Sequence, residues 1–362
     1  MTKVRFSNRD IAQFGPEVRR RVVAYFEATG RSQKADWRMV LKTVLLLGGS
    51  VACYLLILSG WFTPWQMLGL AVLLGIGMAG VGFSVAHDAL HGAYSSNKLI
   101  NQLLGYSFDA FGANGYMWQI THNVIHHTYT NIHGVDEDLT VSPLLRLSPG
   151  APSAWYHRFQ HIYGFLAYSL STLNWLFVKD YQQFLKKEIG PYTDKKHPPV
   201  EWITLFAGKA FVYISTIIIP LIVLDIAWWQ FLIGFLAMHL TAGTILGIIF
   251  QLAHVVEGPD YPEPDAHGSM EHAWLIHEMH TTANFAASNH LLSWYVGGLN
   301  YQIEHHLFPQ VCSVHYPAIS RIVREVATQH GLPYHYNPTL RAAIRSHHRM
   351  LKRLGRQKVA TA

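Results

Sequence analysis

Hydrophobic and polar positions are unevenly spread along the chain. Four long apolar runs stand out, at about residues 43–62, 65–86, 205–224 and 228–253. Crossing about 30 Å of hydrocarbon takes roughly 20 helical residues, so each run is long enough to span a bilayer. Thr63-Pro64 separates the first pair and Asp225 to Ala227 the second, which predicts two tight helical hairpins. Trp61, Trp65, Trp228 and Trp229 fall at the two tips, where an interfacial aromatic belt is expected. A weaker run, Ile162 to Val178, is short and broken by Ser, Thr and Asn. It reads as an interfacial or buried helix rather than a fifth span.

The flanks alternate in a helical, amphipathic way and are more polar. Before Val44 there is no apolar core of the kind a cleavable signal peptide requires. The expected organisation is an N-terminal amphipathic segment (1–42), a membrane domain (43–309) and a basic helical C-terminal segment (310–362). Within the membrane domain, residues 87–204 and 254–309 form a polar cap. The expected fold class is therefore an all-α integral membrane protein.

Charge fixes the orientation. Residues 1–42 hold ten Lys/Arg, 87–203 hold eight, 321–358 hold nine, and neither tip holds any. The positive-inside rule then puts both termini and the middle loop on the cytoplasmic side. The one remaining basic residue, Lys209, is expected to snorkel outward from the third run. This distribution accounts for a pI of about 9.2 without nucleic acid, and no aromatic-basic nucleic-acid module is apparent. Charged residues are only 14% of the chain, against about 25% in soluble domains, as expected of lipid-facing surface. The two cysteines, Cys53 and Cys312, form no CxxC, which excludes a disulfide framework and a thiolate zinc site.

Histidine is the informative excess, at 23 residues. AHDALHG places His87 and His91 four apart, where the second run ends. THNVIHHTYTN carries His122, His126 and His127. GGLNYQIEHHLFP carries Gln302, His305 and His306. Residues four apart share one helix face, and an adjacent histidine points toward a neighbouring site, so an HxxxHH helix can serve two metal ions. Chance placement of 23 histidines in 362 residues gives roughly one or two HxxxH pairs but only about 0.1 HxxxHH triplets. His157 and His161 are a decoy of the first kind. His347-His348 lies in a basic tail and reads as a solvated face. What separates the three clusters is position: all lie at or beyond cytoplasmic ends of spans.

Many neutral imidazoles with no thiolate and few carboxylates favour iron, zinc or copper over calcium or magnesium. Seven histidines exceed the needs of one tetrahedral zinc, so two metals is the economical count. Asp88, Asp136, Glu137, Asp138 and Glu304 lie beside the candidate ligands and are suited to accept the second imidazole N–H, or to cap a helix or face solvent.

HDALH, HNVIHH and QIEHHLFP, in this order around two hydrophobic hairpins, resemble the membrane fatty acid desaturases. The third box, with Gln in place of the first His, resembles the front-end (linoleoyl-CoA, Δ5/Δ6-type) and sphingolipid branch. The resemblance covers roughly residues 40–325. It implies a four-helix membrane bundle in two hairpins with a cytoplasmic helical cap that carries a di-iron site. The activity implied is insertion of a cis double bond into an acyl-CoA or acyl-lipid chain, using dioxygen and two external electrons. Carried over to this sequence, the implied ligands are His87, His91, His122, His126, His127, His305 and His306. Gln302 would act directly or through a water. In FQLAHVVEG, His254 matches a further family ligand at the end of the fourth span, the alternative being a histidine that caps the helix.

Around the ligands, Asp88, Asp138, Glu304 and Asn284 are candidate supporting residues, and His277 and His280 in HEMHTTANF are further candidates. Trp118, Phe108, Phe111, Trp294 and Tyr295 are candidates for the wall of an acyl tunnel or for plain packing. Front-end desaturases often carry a fused haem-binding domain marked by HPGG; the nearest match here is HPPV at 197–200. The expectation is no fused haem domain, a separate donor (ferredoxin, or a cytochrome b-type protein with its reductase), and a bacterial inner membrane. Rival readings are a sphingolipid desaturase or acyl hydroxylase on the same site, a membrane metal transporter, and a non-enzymatic scaffold. A transporter requires histidines along the spans, and only His239 lies within the four runs.

Overall fold

The computed structural model describes residues 4–7, 13–140, 142–193 and 196–357; the remainder of the two flanking segments lies outside the described residues. Among the described residues, four helices are long and apolar enough to cross a membrane: Trp37–Leu58, Pro64–Leu90, Pro199–Val223 and Trp228–His254. They follow a short amphipathic helix, α1 (Phe14–Thr29), and the first two are designated α2 and α3.

Helix α2 begins ahead of its apolar run because Asp36 accepts hydrogen bonds from the backbone N–H groups of Arg38 and Met39. Polar residues on its first turns, such as Lys42, are thus helical although hydropathy does not see them. Helix α3 starts at Pro64, whose fixed φ suits the first helical turn, and the Gln66 side chain accepts from the Thr63 N–H at 2.9 Å. The tip tryptophans are exposed, Trp61 and Trp65 at 83% and 82%.

Helix α3 is the centre of the bundle and packs against both α2 and the fourth long helix. Small residues allow the approach: a Cβ on Gly75 would sit 2.4 Å from the Met238 carbonyl oxygen, and one on Gly77 2.4 Å from Ser50 Oγ. Near its C-terminal end the helix widens to i→i+5 bonding over Gly82–Ala86, immediately before His87.

Between the two long pairs the chain forms α4 (Lys98–Ala110), α5 (residues 115–129), α6 (Gln160–Ser169) and α7 (residues 171–185). The broken α6–α7 pair packs on the fourth long helix, with the Ser169 carbonyl against Gly243 and Tyr168 against Gly247. It is not among the four candidate spans. The third and fourth long helices are α8 (Pro199–Val223) and α9 (Trp228–His254).

Lys209 of α8 departs from expectation. It does not snorkel but lies 3% exposed, donating to Asp180 Oδ2 at 2.7 Å and to the Gly112 and Trp175 carbonyls at 2.8 Å. Those acceptors take all three ammonium protons, which an outward position would leave to water. These bonds tie α8 to the turn after α4 and to the middle of α7.

The cap continues with α10 (Trp274–Thr281), α11 (His290–Tyr295), α12 (Gln302–Leu307), α13 (Tyr316–Gln329) and α14 (Leu340–Arg356). Its apolar core joins Phe14, Val18 and Val22 of α1 to Met279, Ile303 and Val323. One small parallel sheet breaks the all-α expectation: β1 (Ala283–Phe285) pairs with β2 (His335–Asn337). β1 leaves the buried end of α10, where backbone groups need partners, and β2 supplies them from a partly exposed stretch.

The His347-His348 expectation is half corrected. His348 is exposed, but His347 is fully buried, bonded to the Val255 carbonyl at 2.7 Å and the Tyr168 hydroxyl at 3.0 Å. It lies on the apolar side of α14 with Met350, Leu351 and Leu354.

Candidate metal centre

The three clusters and His254 converge. His87 and His91 come from the end of α3 and the turn after it, and His122, His126 and His127 from α5. His254 ends α9, and His305 and His306 lie on α12. All are buried except His91, which is half-buried. Ring centroids lie 4.5 Å apart for His87–His305, 4.3 Å for His127–His306 and 4.7 Å for His126–His254.

Local backbone explains how α5 presents three ligands. Residues 119–126 are bonded as a π-helix, with the His127 N–H reaching the His122 carbonyl. In this wider turn, positions four and five residues on straddle the same face. His126 and His127 therefore both look inward, where an ordinary α-helix would splay them.

One nitrogen atom from each of His87, His91, His122 and His305 can be chosen so that all lie within 4.8 Å of one another; His126, His254 and His306 form a second such set, and His122, His126 and Asp138 a third. His127 lies between the first two, 4.5 Å from His305 and 4.3 Å from His306 by ring centroid.

Five of the Nδ1 atoms are tied down, whereas those of His87 and His127 are buried without a hydrogen-bond partner. His126 Nδ1 meets Asp136 at 3.0 Å, His122 Nδ1 meets Asp138 at 3.2 Å, and His306 Nδ1 meets Glu278 at 2.8 Å. His254 Nδ1 faces the Thr281 carbonyl at 3.3 Å, and His305 Nδ1 the Tyr316 hydroxyl at 3.2 Å. By contrast, the Nε2 atoms of His87, His91, His122, His127, His305 and His306 are buried without a hydrogen-bond partner. Buried polar atoms are rarely left in this state. Holding Nδ1 by a carboxylate or carbonyl while Nε2 points inward is how proteins orient imidazole toward a metal.

Electrostatics agree. Burial, and then the charge a neighbouring imidazole would carry, hold His91, His122, His127, His305 and His306 well below the ordinary histidine value, so their lone pairs are free. At His126 burial is overcome by the Asp136 carboxylate, which raises the pKa to about 9; a cation at Nε2 would take the place of that favoured proton. Burial pushes Glu278 up to about 8, the position of a carboxyl short of positive charge nearby. The residues thus fit metal cations, and an imidazole-rich set suits iron, zinc or copper.

The remaining candidates fall in different places. Asp88 lies 3.6 Å from His87 Nδ1, too long for a hydrogen bond, and its Oδ2 accepts from Ser313 N, Ser313 Oγ and Cys312 Sγ. It clasps the first box to the chain after the third. Glu137 pairs with Lys186 at 3.5 Å. Glu304 accepts no imidazole N–H: Asn284 Nδ2 and the Tyr334 hydroxyl bind its carboxyl at 2.7 and 2.9 Å, and burial raises it to about 7. Asn284 also accepts from the Ile303 N–H, so it orients α12 from behind. Gln302 is buried at the start of α12, one turn before His305. His277 donates to or accepts from nothing in the cluster; its Nε2 meets the Thr130 carbonyl at 2.8 Å, and His280 meets Asp260.

Trp118 stacks on His122 at 4.3 Å and stands edge-on to His87, with Phe108 behind it at 5.6 Å. Phe111 lies farther into the bundle, against the group containing Met78 and Met238. Trp294 is 38% exposed, with Lys42 Nζ 5.8 Å from its ring, and Tyr295 is bonded to the Ile76 carbonyl. A cavity of about 310 Å³ opens between the long helices, lined by residues such as Tyr54, Ala71, Leu74, Trp229, Phe235 and Met238.

Glu278, Thr130 and Tyr316 were not among the sequence candidates. Glu278 stood in HEMHTTANF, a carboxylate between two histidines, but nothing in the spacing pairs it with His306.

Comparison with known proteins gives a consistent result. A sequence model of the family described as "Fatty acid desaturase" matches residues 63–338. An sn-1 linoleoyl-lipid 6-desaturase of Arthrospira platensis is 37% identical over 344 residues, covering 94% of this chain and 92% of the relative. A second protein of that name, from Synechocystis, is 35% identical and covers 93% of this chain and 94% of the relative. An acyl-lipid (8-3)-desaturase of Physcomitrium patens is 34% identical, covering 93% and 71%.

Proposed function

The chain belongs to the fatty acid desaturases: it is an oxidoreductase that desaturates fatty acyl chains, and we propose that it works on membrane acyl-lipids with two histidine-held iron ions, dioxygen and two electrons from a separate carrier. The observation that carries the metal reading is the set of inward, partnerless Nε2 atoms, of which those of His122, His306 and His305 have their outer nitrogens held by Asp138, Glu278 and Tyr316. His87, His91, His122 and His305 would hold one ion, and His126, His254 and His306 the other, with His127 between them; Gln302 would reach the site directly or through a water. The names of the similar proteins favour an acyl-lipid over an acyl-CoA, and desaturation over hydroxylation.

The chemistry that such irons supply when bound is oxidation of an unactivated methylene pair by dioxygen. This chain's own residues do the rest. Asp136, Asp138 and Glu278 hold the imidazole tautomers, so that no reorganisation is needed at the site. Trp118 and Phe108 form an apolar wall beside His87 and His122, against which a methylene pair can lie while water is excluded. The chain would continue past Phe111 toward the cavity between the long helices. That cavity lies at the small end of ligand pockets, suited to the methyl end of one acyl chain. Trp294 and Tyr295, tied to Lys42 and α3, would support the rim rather than touch the reacting carbons.

In this reading the four long helices form two hairpins with both termini and the cap on the cytoplasmic side, as the distribution of Lys and Arg favours. Residues 43–309 make the membrane unit and the flanks close over it. Expression in a host that makes linoleoyl lipids, with location of double bonds by mass spectrometry, tests the function. Linoleoyl chains gaining a third double bond at carbon 6, as in the name of two similar proteins, is the expected result. Inserted, iron-loaded protein supplied with donor that leaves every acyl chain unchanged would refute it.

A further inference from the structure

Desaturation with dioxygen has a fixed balance: R–CH2–CH2–R′ + O2 + 2 e⁻ + 2 H⁺ gives R–CH=CH–R′ + 2 H2O. Two C–H bonds break, one C=C forms, and two molecules of a one-electron carrier are oxidised. Such a carrier has to dock close to the metal-binding histidines, and one surface answers that need.

Helix α14 reads LRAAIRSHHRMLKRLGR, without an acidic residue. Arg341, Arg345, Arg349, Lys352, Arg353 and Arg356 are all exposed, and among the described residues only Arg349 of these forms a direct ion pair, with Glu257, which Arg353 also faces at longer range. The opposite face is spent on the protein: Met350, Leu351 and Leu354 pack with Tyr168, Leu145 and Val255. The last turn is held by Arg146, which is fully buried and donates to the Leu354 carbonyl at 2.6 Å. The helix is therefore a fixed platform whose basic side has no apolar surface to hide.

Beneath that platform lies a short covalent and hydrogen-bonded connection to the second histidine set. His347, on the buried side of α14, bonds to the Val255 carbonyl at 2.7 Å. Val255 is covalently next to His254, whose ring stands 4.7 Å from His126 and 4.9 Å from His306. One side chain and one peptide separate the basic helix from a candidate ligand.

We propose that the exposed basic face of α14 is the docking surface for an acidic one-electron carrier protein, which delivers electrons behind His254 by way of His347 and Val255. The proposal rests on the desaturase reading above, which requires outside electrons. Opposite charge suits a redox encounter that must form fast and part quickly, since it speeds association more than it tightens the complex. Such encounters bury little surface, within the reach of one helix face.

The test uses the full-length, iron-loaded protein in zwitterionic nanodiscs and a plant-type ferredoxin as probe. The triple variant R345Q/K352Q/R356Q leaves His347, Arg349 and the histidine sets intact. Its binding of ferredoxin at low salt should be about tenfold weaker, with a shallower salt dependence, and its KM for ferredoxin should rise alike. Product from a single turnover, started by adding dioxygen after anaerobic reduction with stoichiometric dithionite and a small neutral mediator, should match the wild type. Unchanged ferredoxin binding and KM in the variant overturns the proposal. So does an effect that appears only when anionic lipid replaces zwitterionic lipid, which would assign the face to headgroups. Failure of the wild type to desaturate with the mediator would instead sink the desaturase reading itself.

Discussion

Two buried glutamates on neighbouring helices make a discriminating pair. Glu278 accepts from His306 Nδ1 at 2.8 Å, and its removal leaves that nitrogen with only a long contact to Thr130 Oγ1 at 3.3 Å. Glu304 lies next to two candidate ligands in sequence yet binds only Asn284 and Tyr334. Loss of the carboxylate behind a metal-binding histidine weakens metal affinity about 10- to 100-fold. That is roughly 1.4–2.8 kcal/mol, in the range of an unsatisfied buried donor. Glu278→Ala should therefore lose iron at 10- to 100-fold lower chelator concentration than the wild type. Glu304→Gln should keep its iron and show only a loss of stability of about 1–3 kcal/mol. The assay is iron per folded protein after graded chelator challenge, with the folded fraction followed by thermal unfolding. Iron loss from Glu304→Gln equal to that from Glu278→Ala would refute the idea that the contact with His306, rather than burial near the site, is what matters.

His126→Ala and His305→Ala should each abolish desaturation while the protein still inserts, read as product by mass spectrometry against membrane-extracted protein. Lys209→Met strands Asp180 in the interior and should cost about 3–5 kcal/mol in denaturant unfolding, whereas adding Asp180→Leu should restore most of it. A coupling below about 0.5 kcal/mol in that cycle would count against the pair. Gly297, at φ +60, lies where a Cβ would stand 2.3 Å from the Phe83 carbonyl oxygen, so Gly297→Ala should push the third box from the first. A loss of at least about 1–3 kcal/mol, with iron loss, is expected from equilibrium unfolding and metal analysis. Ala71→Phe fills part of the cavity between the long helices and should shift preference toward shorter acyl chains in competitive feeding, without changing iron content.

The four spans were legible because lipid imposes a length and an apolar composition that no soluble core needs. Their ends were not, since caps such as Asp36 are polar and invisible to hydropathy. The histidine boxes announce themselves by type and spacing, whereas His254, a lone histidine at the end of a span, stands out only through the family resemblance. Partners across the fold were another matter. Lys209 read as a snorkelling cation because Asp180 lies 29 residues away, and His347 read as solvated because its helix's buried side could be recognised only against Tyr168 and Val255. Adjacency along the chain points to Glu304, whereas side-chain direction on α12 and α10 decides which carboxyl meets a ring, and that carboxyl is Glu278. The π-bonded stretch in α5 likewise has no spacing signature, although it brings His126 and His127 to one side.

The order of synthesis follows from where the rings sit. The first set needs His305 beside His87, and the second needs His306 beside His126, so neither set can close until residues beyond 300 have left the ribosome. Earlier in translation the nascent chain holds only partial, weaker sites, with its spans already threaded. On the di-iron reading, metal loading would then be a final maturation step, and a cell short of iron would accumulate inserted apoprotein poised for activation when supply returns.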